Sequence, residues 1–144
     1  MMRVVERSAL IPFTPAQAFA VVADIETYAS FLPWCSDSRI LDQQAQWVTA
    51  QLTLAKSGIR QSFTTRNHLT TPTEMTMYLV EGPFTSLEGC WTFSALGDDG
   101  TKVSLNMTFE FKNKLLDQTF GRVFGLAADT MVDAFSKQIA KVYG

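Results

Sequence analysis

The chain has 144 residues, 47% hydrophobic and 18% charged, a folded globular composition rather than a disordered one. Its formal net charge of −2 supplies no global electrostatic pull toward DNA or other nucleic acid, while leaving room for a local basic patch. Two distant cysteines, Cys35 and Cys90, and one histidine, His68, argue against a structural zinc site and a secreted disulfide scaffold, though a single disulfide stays open.

No apolar run approaches the ~20 residues that a spanning helix needs. The opening "MMRVVERSAL" lacks the apolar core of a signal peptide. The expectation is a cytoplasmic protein of one domain, residues 1–144, with any membrane contact peripheral, at the inner face.

In chain order, residues 2–11 read as a first strand. In "FTPAQAFAVVAD", Thr14 is a good N-cap, Pro15 suits the first helical position and Gln17 completes a capping box. Phe19, Val22 and Ala23 give this short helix its apolar face. Asp24 is placed to cap a second short helix, "IETYASFL", which Pro33 ends. The segment "TYASFLPWCS" is the greasiest of the chain, and it falls where regular structure must break.

From about residue 37 the pattern becomes two-residue alternation. Val48, Ala50, Leu52 and Leu54 face one way in "WVTAQLTL". Ile59, Phe63 and Leu69 share a face with Gln61, Thr65 and Asn67. Met75, Met77 and Leu79 follow, then Leu87, Gly89, Trp91, Phe93 and Ala95, and then Val103, Leu105, Met107, Phe109 and Phe111. One apolar and one polar face per strand indicates an antiparallel sheet with one wet side. Links such as "KSG", "TTPT", "EGPFT" and "GDDG" are turn-like, so a meander is the economical topology.

From Leu115 to Tyr143 the period returns to that of a helix. Leu116, Phe120, Val123, Phe124, Ala127, Met131, Phe135, Ile139 and Val142 define its apolar stripe. Such a helix, roughly 40 Å long at ~1.5 Å per residue, is the one element able to cover the sheet.

The sequence offers no acid–base or nucleophile constellation. His68 falls on the polar side of its strand, Asp98 and Asp99 sit in a turn, and neither cysteine has a histidine beside it. There is no Gly-rich phosphate loop. What the sequence does offer is apolar lining: eleven Phe and six Met, with wide or flexible side chains. Gly121 and Gly125 keep the covering helix slim, which either lets it approach the sheet or leaves room for a ligand. Gln61, Thr65 and Asn67 lie either in an apolar cavity, as partners for a polar head, or at a wet sheet edge.

These elements and two motifs resemble a known family. "YASFLPWC" (Tyr28 to Cys35) resembles the Y-x-x-F-x-P-W-C signature of the coenzyme Q-binding, RatA-type branch of the START-like superfamily. "EGPFTSLEGCWTF" (Glu81 to Phe93) resembles its G-P-F-x-x-L-x-G-x-W-x-F segment, and "MVDAFSKQIAKVYG" its ending. The resemblance spans essentially the whole chain. It implies an α+β helix-grip fold: a curved antiparallel sheet wrapped around a long C-terminal helix, with two short helices after the first strand.

It also implies two functions. One is non-catalytic binding of ubiquinone or a similar prenyl lipid, as a carrier or chaperone supporting respiratory electron transport. The other is that of a ribosome-associated toxin that binds the large subunit and blocks subunit association. An older polyketide cyclase label finds no supporting residue set, so the chain is expected not to be an enzyme and to have no catalytic cofactor or metal. For the lipid, the motifs give Phe31, Leu32, Pro33, Trp34, Phe84, Trp91 and Phe93 as lining or gate. Periodicity adds Phe63, Met75, Met77, Met107, Phe109, Phe124 and Met131. For ribosome or RNA contact, Lys112, Lys114, Arg122, Lys137 and Lys141 gather toward the C-terminal element.

Overall fold

Seven strands make one antiparallel sheet in a computed structural model that describes residues 2–144. They are β1 (Arg3–Ile11), β2 (Cys35–Gln43), β3 (Trp47–Lys56), β4 (Ile59–Thr70), β5 (Glu74–Glu81), β6 (Phe84–Leu96) and β7 (Gly100–Phe111). The spatial order is β1-β7-β6-β5-β4-β3-β2, so β2 to β7 form the expected meander and β1 returns to pair with β7. Alternation is cleanest in β7, where Val103, Leu105, Met107, Phe109 and Phe111 are buried while Lys102, Asn106 and Thr108 are exposed.

α1 (Pro15–Ala23) follows β1, and its capping box forms as expected. The Gln17 amide donates to the Thr14 hydroxyl at 3.2 Å, and the Thr14 amide donates to the Gln17 side chain at 2.9 Å. The next segment differs from expectation. Ile25–Ser30 is a 3-10 helix, and the Asp24 side chain does not cap it. The Tyr28 hydroxyl instead reaches back to the Val22 carbonyl, and the Ser38 hydroxyl accepts from the Ala29 amide at 3.1 Å. Such tertiary bonds hold the chain in the tighter helix.

Sequence periodicity did not single out β2. It is an edge strand whose pairing with β3 slips between Cys35 and Asp37 and again between Ile40 and Asp42, so its alternation is broken. It is entered through Trp34, which sits in the left-handed region at φ 63°. That conformation costs a non-glycine residue ~1–2 kcal/mol. The Trp34 carbonyl accepts from the Ala55 amide at 2.9 Å, and the Lys56 ammonium lies 4.5 Å from the indole centre. These contacts oppose the strain.

The C-terminal helix is interrupted where a continuous one was expected. α2 (Lys114–Gln118) and α3 (Phe120–Tyr143) meet at Thr119, whose φ and ψ are −102° and −82°. The Arg3 guanidinium lies at this junction, bonded to the Asp117 carboxylate and, at 3.3 Å each, to the Asp117 and Gly121 carbonyls. Carbonyls at the break thereby find a donor. α3 covers the inner sheet face with Phe120, Val123, Phe124, Ala127, Ala128, Val132, Phe135 and Ile139, whereas Val142, expected on that stripe, is 54% exposed.

Candidate functional site

The inner aromatic rings form two clusters rather than an even wall. Phe124 packs against Phe63, Phe84 and Phe109 with ring centres 5.6, 5.0 and 4.7 Å away. Phe135 packs against Tyr28, Phe31 and Trp91 at 5.0, 5.2 and 5.1 Å. The two residues are ~16 Å apart along α3 at ~1.5 Å per residue. Between them the helix presents Ala127 and Ala128, too small to fill the gap, and the flexible Met131.

Two adjoining cavities occupy that gap. The first is lined by Ile25, Tyr28, Ala50, Leu52, Phe63, Thr65, Asn67, Met75, Met77, Leu87, Trp91, Met107, Phe124 and Met131. The second is lined by Leu32, Pro33, Leu52, Leu54, Phe63, Phe124, Ala127, Ala128 and Met131. Their volumes are about 40 and 20 Å³. That admits water but falls well short of the ~300 Å³ at the small end of ligand pockets.

The expected lipid residues therefore divide. Phe63, Met75, Met77, Trp91, Met107, Phe124 and Met131 line the first cavity, and Leu32 and Pro33 the second. Phe84, Phe93 and Phe109 are buried within ring clusters and line neither cavity, as their stacking against other rings fills their surroundings. Phe31 also lines neither, and packs on Tyr28 and Phe135. Trp34 lies outside, under Lys56. Ile25, Tyr28, Ala50 and Leu52 were missed as lining. For Ala50 and Leu52 the alternation of β3 carried the signal.

Polar groups are few in this lining. Asn67 is 3% exposed, and its side-chain oxygen accepts from the Thr65 hydroxyl at 2.8 Å. Its amide nitrogen meets no acceptor among the described residues. So Thr65 and Asn67 belong to the cavity and not to a wet edge. Burial, and then the charges of Asp24 and Cys35, push the Tyr28 phenol far above its ordinary range, and its hydroxyl is committed to Val22. Cys35 and Cys90 are both free thiols, raised mainly by burial. Among the described residues no cluster of His, Cys, Asp and Glu suits a metal ion. No helix there is long and apolar enough to cross a membrane.

Of the glycine pair, Gly121 serves packing, while Gly125 has room for a methyl. A Cβ at Gly121 would stand 3.2 Å from the Arg3 guanidinium, and one at Gly125 3.6 Å from it. The slim helix face admits an arginine, not a ligand.

The expected basic residues are all exposed but dispersed. Lys112 and Lys114 precede or begin α2, and Lys141 lies near the end of α3, one helix length away. Lys137 is 3.1 Å from Asp133. On the opposite, outer face of the sheet, sequence reasoning missed a ring cluster. Trp47 lies opposite His68 in the β3–β4 register, with ring centres 4.6 Å apart. Arg66 caps the Trp47 ring at 4.4 Å, and Tyr78 flanks it at 6.2 Å. Two-residue alternation places all four outward, but only pairing across three strands brings them together.

Residues 11–136 match the family described as polyketide cyclase / dehydrase and lipid transport. The chain belongs to this family. Within the family it is 43% identical to the ribosome association toxin RatA of Pseudomonas aeruginosa, over 97% of each chain. It is also 26% identical to the mitochondrial coenzyme Q-binding protein COQ10 homolog B of Xenopus laevis, over 95% of this chain and 58% of that one. This family member therefore sits in the RatA/COQ10 branch. Its fold is that of the Zhui aromatase/cyclase of Streptomyces, with a TM-score of 0.86 at 17% identity, covering 98% of this chain and 95% of that one. The helix-grip architecture expected from the motifs is the one observed.

Proposed function

We propose that this protein is a ribosome-associating binding protein of the RatA type, which acts without catalysis by binding the large subunit and blocking subunit association. The observation that carries this reading is the full-length similarity to RatA, with neither chain left with a large unmatched part. The cavity chemistry agrees with it. Its lining carries no pair of titratable groups in reach of one another, and its one ionisable side chain, Tyr28, is held neutral by burial. Sucrose-gradient sedimentation tests the reading. Added protein should shift assembled ribosomes toward free subunits and comigrate with the large one. Unchanged profiles at excess protein would end it.

A second reading, binding of ubiquinone or a related prenyl lipid, is favoured by the Asn67 amide, a donor without an acceptor beside an apolar cavity. It requires the cavities to widen. The four methionines of the lining are the side chains best able to move. Burial of an apolar tail supplies roughly 25 cal/mol per Å² toward that opening. Mass spectrometry of an organic extract from protein purified from a quinone-containing host should show a lipid above a control protein. Leu32→Lys should reduce that lipid more than it lowers stability; equal losses would make Leu32 a plug.

A further inference from the structure

The β3–β4 hairpin concentrates positive charge in an otherwise acidic chain. From Gln43 through Thr73 it contains Lys56, Arg60 and Arg66 and no Asp or Glu, which is +3 in a protein of net charge −2. The remaining residues therefore carry −5. None of the three cations forms a salt bridge among the described residues. Lys56 and Arg66 lie over indole rings instead. Asp42 and Glu74 border the hairpin without interrupting it.

The placement of these groups is regular. Arg60 and Arg66 are exposed, and β4 alternation puts both on the outer face with His68. Trp47 and Tyr78 lie to either side, from β3 and β5. The strip from the turn at Lys56 to Trp47 runs ~30 Å at ~3.3 Å per residue. A sheet face with aromatic rings at one end and unpaired cations along it meets the two needs of single-stranded RNA: planes for unstacked bases and charge for the backbone. A protein partner would not require that pairing of planes with cations.

We infer that the outer face of the β3–β4 hairpin binds single-stranded RNA, with Trp47 and Tyr78 stacking on bases, Arg66 on a base or phosphate, and Arg60 on a phosphate. This rests on the ribosome reading for its biological target, since it makes an unpaired rRNA segment the contact. It assigns the contact to a face distinct from the C-terminal lysines and from the inner cavity.

The test uses the full chain with Trp47→Ala, Tyr78→Ser, Arg60→Gln/Arg66→Gln and Arg66→Lys. Each is first checked for an unchanged melting temperature, and Tyr78→Ser stands in should Trp47→Ala fail to fold. Fluorescence anisotropy with a labelled single-stranded RNA should show about tenfold or greater weakening for loss of a ring. The double variant should lower the log–log salt slope by ~0.7 if Arg66 meets a base and by ~1.4 if it meets a phosphate, at ~0.7 for each phosphate that is no longer neutralised. Arg66→Lys should keep the salt slope and lose part of the affinity. The same proteins are run on ribosome gradients. Wild type on the large subunit and variants off it supports the inference. Comigration of wild type and variants alike, with RNA affinity unchanged, overturns it and leaves the ribosome reading standing. Variant-sensitive RNA binding without comigration retains the inference and ends the ribosome reading. Variant-sensitive binding to phosphatidylglycerol vesicles but not to RNA overturns the inference in favour of a membrane surface.

Discussion

The Arg3 guanidinium lies across the α2–α3 junction against Gly121, donating to its carbonyl at 3.3 Å where a side chain at that position would stand 3.2 Å away. One arginine from the first strand thus explains a helix break, a glycine and an ion pair with Asp117 near the other end of the chain. Arg7 makes a second such link further along β1, 2.7 Å from Asp129.

The two glycines of α3 should respond differently to alanine. Gly125→Ala meets only ordinary contact, at 3.6 Å from Arg3, and should stabilise by up to about 1 kcal/mol through helix propensity. At Gly121 the new methyl meets Arg3, Asp117 and the edge of Phe111, all within 3.3 Å, so the same gain should be offset or reversed. Urea midpoints at equal slope measure both, and a Gly121→Ala variant at least as stable as Gly125→Ala would contradict the packing account.

Phe124 and Met131 should separate stability from cavity plasticity. Phe124 is 4% exposed at the centre of a ring cluster, so Phe124→Ala should cost about 3–5 kcal/mol. Met131 is half-buried and lines both cavities; Met131→Leu nearly conserves volume and should cost under about 1.5 kcal/mol. Its effect should show in lipid uptake, because a stiffer side chain opposes widening. Denaturation paired with lipid extraction reads the two apart.

Tyr28 makes stability fall at high pH. Its phenol is raised in the fold above the ordinary value of 10.0, so between that value and the folded one the unfolded state loses a proton that the folded state keeps. The stabilisation is complete below the unfolded value and is lost as pH rises, by about 1.4 kcal/mol per pH unit. Tyr28→Phe should be less stable than wild type at neutral pH, by about 1 kcal/mol for the lost bond to Val22. It should lose less than wild type above pH ~10. Parallel stability curves for the two proteins would refute the linkage.

The thiols should be sluggish. Burial raises both, so little thiolate forms at neutral pH. Cys90, half-buried on the outer face, should react slowly with a thiol reagent, and buried Cys35 only on unfolding. Fast labelling of Cys35 in the native protein would show that the Leu32–Cys35 turn opens.

Legibility in the sequence followed the regularity of the environment. β7 was readable residue by residue because one face is wholly buried and the other wet. β2 was not, since its bulges break the period; the second short helix was legible, but its 3-10 pitch was not, because tertiary bonds from Tyr28 and Ser38 set it. The inward methionines were found from alternation alone. Which aromatic rings bound a cavity was not legible, because Phe109 and Met107 share a face and differ only in what packs beside them.

The sequence by itself determined the strands other than β2, the covering helix, the branch motifs and the absence of an acid–base motif, since each depends on local spacing or on residue type. The tertiary structure decided that the Leu32–Pro33 break borders a narrow cavity while Trp34 lines neither cavity and packs under Lys56. It decided too that Gly121 receives Arg3 and that Trp47, Arg66, His68 and Tyr78 share one outer patch. Those relationships join residues far apart along the chain or on separate strands, and only strand register and helix docking bring such groups within contact distance.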